Sequence, residues 1–126
     1  MKKPKRILKS VLKKREKRKL KRDFKTKLEE WKKLVLIRDN YCCQKCKKNL
    51  LNQQKNVHHI ISLQSVKRKY PELLEDINNG ITLCGYCHKF APDSAHQGSM
   101  EFIQFFKENK FEQYDYLANI IYNKKV

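Results

Sequence analysis

Two Cys-x-x-Cys pairs, Cys43-Gln44-Lys45-Cys46 and Cys84-Gly85-Tyr86-Cys87, carry the strongest chemical signal in the chain. Four thiolates in two such knuckles can hold one zinc ion tetrahedrally. Between them lies Val57-His58-His59-Ile60, and His88 follows the second pair directly. The gap from Cys46 to Cys84 is wider than the roughly 15–20 residues of a plain zinc ribbon, so a segment is inserted between the knuckles. That segment carries the histidine pair. A structural zinc at Cys43, Cys46, Cys84 and Cys87 is expected, with Cys42 as the spare thiol or the start of an alternative register. Neighbours on a strand point to opposite faces. His58 and His59 are thus poorly placed to share one task and well placed for two, one holding a metal and the other handling a proton.

The elements that position these groups are short. Arg38-Asp39-Asn40-Tyr41 ends a helix and leads into the first knuckle. Val57 to Ile61 and Ile81-Thr82-Leu83 read as two short strands, the second following an Asn79-Gly80 turn. A short helix from Cys84 to about Phe90 is expected next, ended by Pro92. Ser62 to Asn79 reads as an insertion in which Pro71 starts one helical turn. Two helices follow Gly98. Phe102, Phe105, Phe106 and Phe111 are spaced for the core face of these C-terminal helices. Before the knuckles, apolar residues from Ile7 to Ile37 recur at intervals of three and four, which predicts one or two helices. The fold class is therefore α+β and mostly helical. Residues 1–37 form a basic helical arm, 38–98 the metal-bearing core, and 99–126 helices packed on it.

Charge separates the arm from the rest. The 126 residues carry a net charge of +17. Residues 1–33 hold 17 Lys/Arg against four acids, a net of +13, whereas the remaining 93 residues hold 13 against nine, only +4. Such an arm suits a polyanion, because neutralising phosphates releases counterions. An anionic membrane surface or RNA is the competing partner. Candidate contacts are Lys13, Lys14, Arg15, Lys17, Arg18, Lys19, Lys21 and Arg22, with Lys67, Arg68 and Lys69 as a second patch. Five cysteines, an odd number, and a lysine-rich start with no apolar run behind it favour thiol ligation over disulfides. The expected setting is cytoplasmic, in a bacterial, phage or other intracellular reducing environment. No apolar stretch approaches the roughly 20 residues that span a bilayer.

The segments Arg38 to Cys46, Val57 to Ile60 and Asn79 to His88 resemble, in that order, the motif of HNH endonucleases with the ββα-metal fold. The resemblance covers about residues 38–90. It implies that His58 binds the catalytic metal, that His59 is the general base activating water, and that His88 is the second metal ligand. It also implies that Asn79 orients the base, with the adjacent Asn78 as the alternative. Some relatives supply a further histidine beyond the last knuckle, which here makes His96 a candidate third ligand. Many relatives have Asp where His58 stands, and an imidazole-rich site suits Zn, Ni or Mn better than Mg. Gly80 departs from the pattern too, standing where an apolar residue often follows the Asn.

What the resemblance implies is metal-dependent hydrolysis of phosphodiester bonds in double-stranded DNA. It implies structural Zn2+, a separate catalytic divalent ion (Mg2+, Mn2+, Ni2+ or Zn2+), no small-molecule cofactor, no membrane partner, and a monomer or homodimer. A non-catalytic zinc-finger protein that binds DNA on a degenerate nuclease fold is the main rival. Phages and mobile elements are the settings that analogy suggests.

Overall fold

The computed structural model describes residues 5–125. Residues 1–4 of the expected arm and the side chains of Ile7 and Leu8 lie outside the described residues. The first element is a single helix, α1 (Lys5–Arg38). Its Lys, Arg, Leu and Glu residues are strong helix formers, and neither Gly nor Pro interrupts it. The one or two helices expected in this region are therefore a single rod of about 50 Å, at 1.5 Å rise per residue. Its C-terminal half meets the body, chiefly through buried Trp31 and Val35. From Leu12 to Asp23 every residue is exposed.

Left-handed backbone at Asn40 (φ 53°) and Tyr41 (φ 56°) turns the chain off α1. The first knuckle then forms a tight loop closed by the Cys42–Asn49 bridge and by Cys43 N donating to Lys48 O at 2.9 Å. Strand β1 (Asn56–His59) pairs antiparallel with β2 (Gly80–Leu83), Val57 opposite Thr82 and His58 opposite Ile81. β1 thus ends two residues before the expected Ile61, because Asn79 takes over the backbone of Ile60 and Ile61.

The insertion between the strands is more ordered than a bare loop. It holds α2 (Leu63–Arg68), capped by Ser62 Oγ accepting from Ser65 N, then 3-10 turns at Pro71–Leu73 and Ile77–Asn79. Val66, Tyr70 and Leu73 sink into the core. After the second knuckle the chain forms a single π-helical turn, Tyr86–Phe90, where a short α-helix was expected. Its widened hydrogen bond runs from Ala91 N to Tyr86 O. Helices α3 (Ser99–Asn109) and α4 (Phe111–Lys125) complete the chain. Phe102 and Phe106 are buried beside Leu50, Ile81, Leu83 and Leu117. Phe105 is half-buried. Phe111 does not join the core: it starts α4 after the break at Lys110 and stays 58% exposed.

The observed class is mostly helical around one two-stranded sheet, with strand, strand and helical turn assembled next to a four-cysteine cluster. Among the described residues no helix is long and apolar enough to cross a membrane.

Candidate functional site

The two knuckles meet. Sulfurs of Cys43, Cys46, Cys84 and Cys87 all lie within 4.8 Å of one another, and Cys46 Sγ is 3.7 Å from Cys84 Sγ. A tetrahedron with Zn–S bonds of about 2.3 Å has edges of about 3.8 Å, so this spacing fits zinc. Each knuckle turns a backbone amide towards its first sulfur: Cys46 N to Cys43 Sγ at 3.5 Å and Cys87 N to Cys84 Sγ at 3.4 Å. Burial pushes the Cys43 thiol up, but amide hydrogen bonds from Cys46, Cys84 and Lys45 outweigh it and bring the pKa to about 7. Burial and neighbouring thiols raise Cys87 and Cys46 instead. A zinc ion held here would deprotonate all four thiols outright. Cys42 points elsewhere, its Sγ 3.4 Å from Asn40 O.

The strand divides the histidine pair as the pleat dictates. On one face His58 meets His88 and His96, whose ligand nitrogens fall within 4.8 Å of one another. The three rings stand edge-on at centroid distances of 5.3, 5.2 and 4.5 Å. Phe102 closes the group, its ring roughly perpendicular to His58 with centroids 5.6 Å apart. Pro92 does lie beyond the end of the helical turn, but the following loop doubles back along it. Ala95 N bonds Cys87 O and His96 N bonds His88 O, each at 3.0 Å, which returns the His96 ring to His88.

The electrostatics suit a cation better than protons. Burial, then the charges of His88, His96 and His59, lower the His58 pKa to about 4. Burial, then His96 and Lys89, do the same for His88. At neutral pH His58 and His88 are therefore uncharged. His88 Nε2 and His96 Nε2 stand only 2.9 Å apart, and the buried His88 Nδ1 has no partner. Buried polar nitrogens are seldom left so. Three converging imidazoles form a borderline donor set that fits a divalent transition ion.

On the opposite face His59 stacks on Trp31, centroids 4.2 Å apart and planes within 16°. Its Nε2 is buried without a partner, which leaves Nδ1 as the nitrogen open to a reactant. Burial, then the Lys32 charge, lower its pKa.

Asn79 is fully buried, and its side-chain amide hydrogen-bonds the backbone of Ile61. Its Oδ1 accepts from Ile61 N at 2.6 Å and its Nδ2 donates to Ile61 O at 3.0 Å. Asn79 thereby clamps the backbone directly after His59. At Asn78 the backbone carbonyl accepts from Gln113 Nε2 and the backbone N–H donates to Asp76 Oδ1.

Lys13, Lys14, Arg15, Lys17, Arg18, Lys19, Lys21 and Arg22 are all exposed on α1. Lys67, Arg68 and Lys69 are exposed at the end of α2, and Lys67 Nζ sits 4.5 Å over the Phe24 ring of α1. The two basic patches are therefore neighbours in space.

Residues that the motif reading passed over also shape the site. Lys32, Lys33 and Lys55 line a groove of about 290 Å³ that ends at His88. Arg38 chelates Asp39 with Nε and NH2 and donates to Ile77 O (2.6 Å) and Gly80 O (2.7 Å). Asp39 in turn accepts from Thr82 N at 3.0 Å. This pair pins β2 to the end of α1. A larger cleft of about 500 Å³ at Lys110 and Tyr116 contains none of the histidines. Arg38 lines it, but its guanidinium is already committed to those four acceptors.

Residues 43–91 match the family model described as HNH endonuclease. Over this stretch the chain is similar to an HNH endonuclease domain. No curated protein and no solved structure matched it. The matched segment contains both knuckles, the histidine pair, Asn79 and His88, and ends five residues before His96. The zinc-braced form of the HNH domain agrees with the four-cysteine cluster. Trp31, Arg38 and Asp39, which hold this domain from α1, lie outside the match.

Proposed function

We propose that the chain is a metal-dependent endonuclease that hydrolyses phosphodiester bonds in double-stranded DNA. The observation that carries this reading is the split of one strand's histidine pair: His58 joins two imidazoles on one side while His59 stands alone on the other. Two functions thus come within one residue of each other without competing.

His59, uncharged at neutral pH, takes the proton of the attacking water at Nδ1. Asn79 holds the strand end so that this nitrogen stays in place. His58 and His88, joined by His96, would hold a divalent ion, whose chemistry there is Lewis-acid stabilisation of charge on the phosphate and the departing 3′ oxygen. Cys43, Cys46, Cys84 and Cys87 would hold a structural zinc that fixes β2 and the helical turn against the first knuckle. Exposed cations on α1 and at Lys67, Arg68 and Lys69 give affinity for the phosphate backbone without reading sequence.

The test is nicking of supercoiled plasmid by the full chain with Mg2+, Mn2+ or Ni2+ and a chelator control. The His59→Ala variant should lose cleavage by at least about 100-fold, within the range set by general bases. Its zinc content and DNA binding should stay near those of the wild type. Binding without metal-dependent nicking by the wild type would favour a non-catalytic zinc protein instead.

A further inference from the structure

A general base needs a fixed ring, yet no hydrogen bond fixes this one. His59 Nε2 is buried and unpartnered, and Asn79 commits both ends of its amide to Ile61. The aromatic ring stacked on the imidazole is that of Trp31. That indole is itself immobile. It is 1% exposed, and its Nε1 donates to Asp76 O at 2.8 Å. Its six-membered ring lies over Gly80, which faces His59 across the sheet. A histidine's second side-chain torsion is broad and loosely defined by its own bonds. A flat, anchored neighbour at 4.2 Å restricts it.

We infer that Trp31 is a positioning residue for the base: it sets the plane of His59 by stacking, where other sites use a hydrogen bond. The inference rests on the reading of His59 as base. It also gives α1 a second task, since the helix that carries the exposed cations supplies the support for the reacting nitrogen.

Shape, not charge or hydrogen bonding, is what Trp31 offers the ring, so planar and non-planar substitutes should separate. The experiment measures single-turnover nicking of plasmid with Mn2+, at saturating protein, using full-length zinc-loaded chains. Trp31→Leu should lower the rate about 10- to 100-fold, the scale of a misplaced catalytic group, with half-saturating protein concentration unchanged. Trp31→Phe keeps a flat face and should stay within about threefold of the wild type. If the leucine variant loses zinc, Trp31→Met takes its place.

Equal rates for the leucine variant and the wild type would overturn the inference. So would equal losses in the phenylalanine and leucine variants, or losses that merely track missing zinc. A wild type that does not cut, or a His59→Ala chain that cuts normally, would instead remove the base assignment itself.

Discussion

Adding one methyl group at Gly80 probes the contact on which the site leans. Gly80 has φ −132° and ψ 151°, extended values that alanine adopts freely, so Gly80→Ala brings no backbone strain. Restricting the unfolded chain would by itself stabilise the protein by roughly 0.4–1 kcal/mol. Against this stands the space available. The new Cβ would lie 2.6 Å from Trp31 Cζ2 and 2.8 Å from Val35 Cγ2. Carbon atoms prefer about 3.5–4.0 Å.

Neither neighbour can yield easily, since Trp31 is tied to Asp76 O and Val35 is wholly buried. Relief requires α1 to lift from β2. Overpacking of this kind costs about 1–3 kcal/mol. The clash outweighs the entropic gain and leaves a net loss of about 1–2 kcal/mol. For a chain of this length that corresponds to a midpoint lower by about 5 °C. Thermal unfolding followed by circular dichroism, at fixed zinc concentration, would measure it. An unchanged or raised midpoint would refute the close packing of α1 on β2, and with it the immobility argued for the indole.

His96→Ala should weaken the catalytic ion by about tenfold or more, by analogy with the loss of groups that support a metal site. A titration of nicking rate against Mn2+ reads this directly, and an unshifted curve would strip His96 of its role. Removing zinc with a strong chelator should abolish the near-ultraviolet dichroism of the packed aromatic rings, because structural zinc contributes about 10–16 kcal/mol in small domains. One equivalent of zinc should restore the signal, and a chelated chain that keeps its spectrum would contradict a structural role. Replacing Lys13, Lys14, Lys17 and Lys21 by Gln should reduce the slope of log affinity for duplex DNA against log salt by about 3–4, at roughly 0.9 per phosphate contact. A slope that does not change would exclude α1 from the interface.

The cysteine cluster was legible because metal ligation needs few residues at fixed spacings, and both knuckles have them. The opposed faces of His58 and His59 were legible because the pleat alternates strictly. Other parts depend on distant partners. The π-helical turn at Tyr86–Phe90 leaves no mark in local sequence; it arises where the chain must serve two sulfurs and present His88 together. Six-residue α2 is too short to show periodicity in the sequence. The return of His96 comes from a loop that doubles back after Pro92, and only backbone bonds to Cys87 and His88 reveal it. Trp31 read as one more apolar position on a helix, since nothing nearby in sequence names His59 as its neighbour. Gly80, odd as a residue beside the Asn, is explained by the indole lying over it.

The sulfur cluster joins residues 38 positions apart, and so closes a ring of chain around the histidine pair. The entropy of closing such a ring grows only with the logarithm of its length. Ten extra residues would raise it by about 0.2 kcal/mol. Residues Leu51 to Gln54 lie on that ring, exposed and between buried Leu50 and the start of β1. A peptide tag or a small folded module grafted there should leave the clasp shut, which makes this bend the natural port for rebuilding the protein.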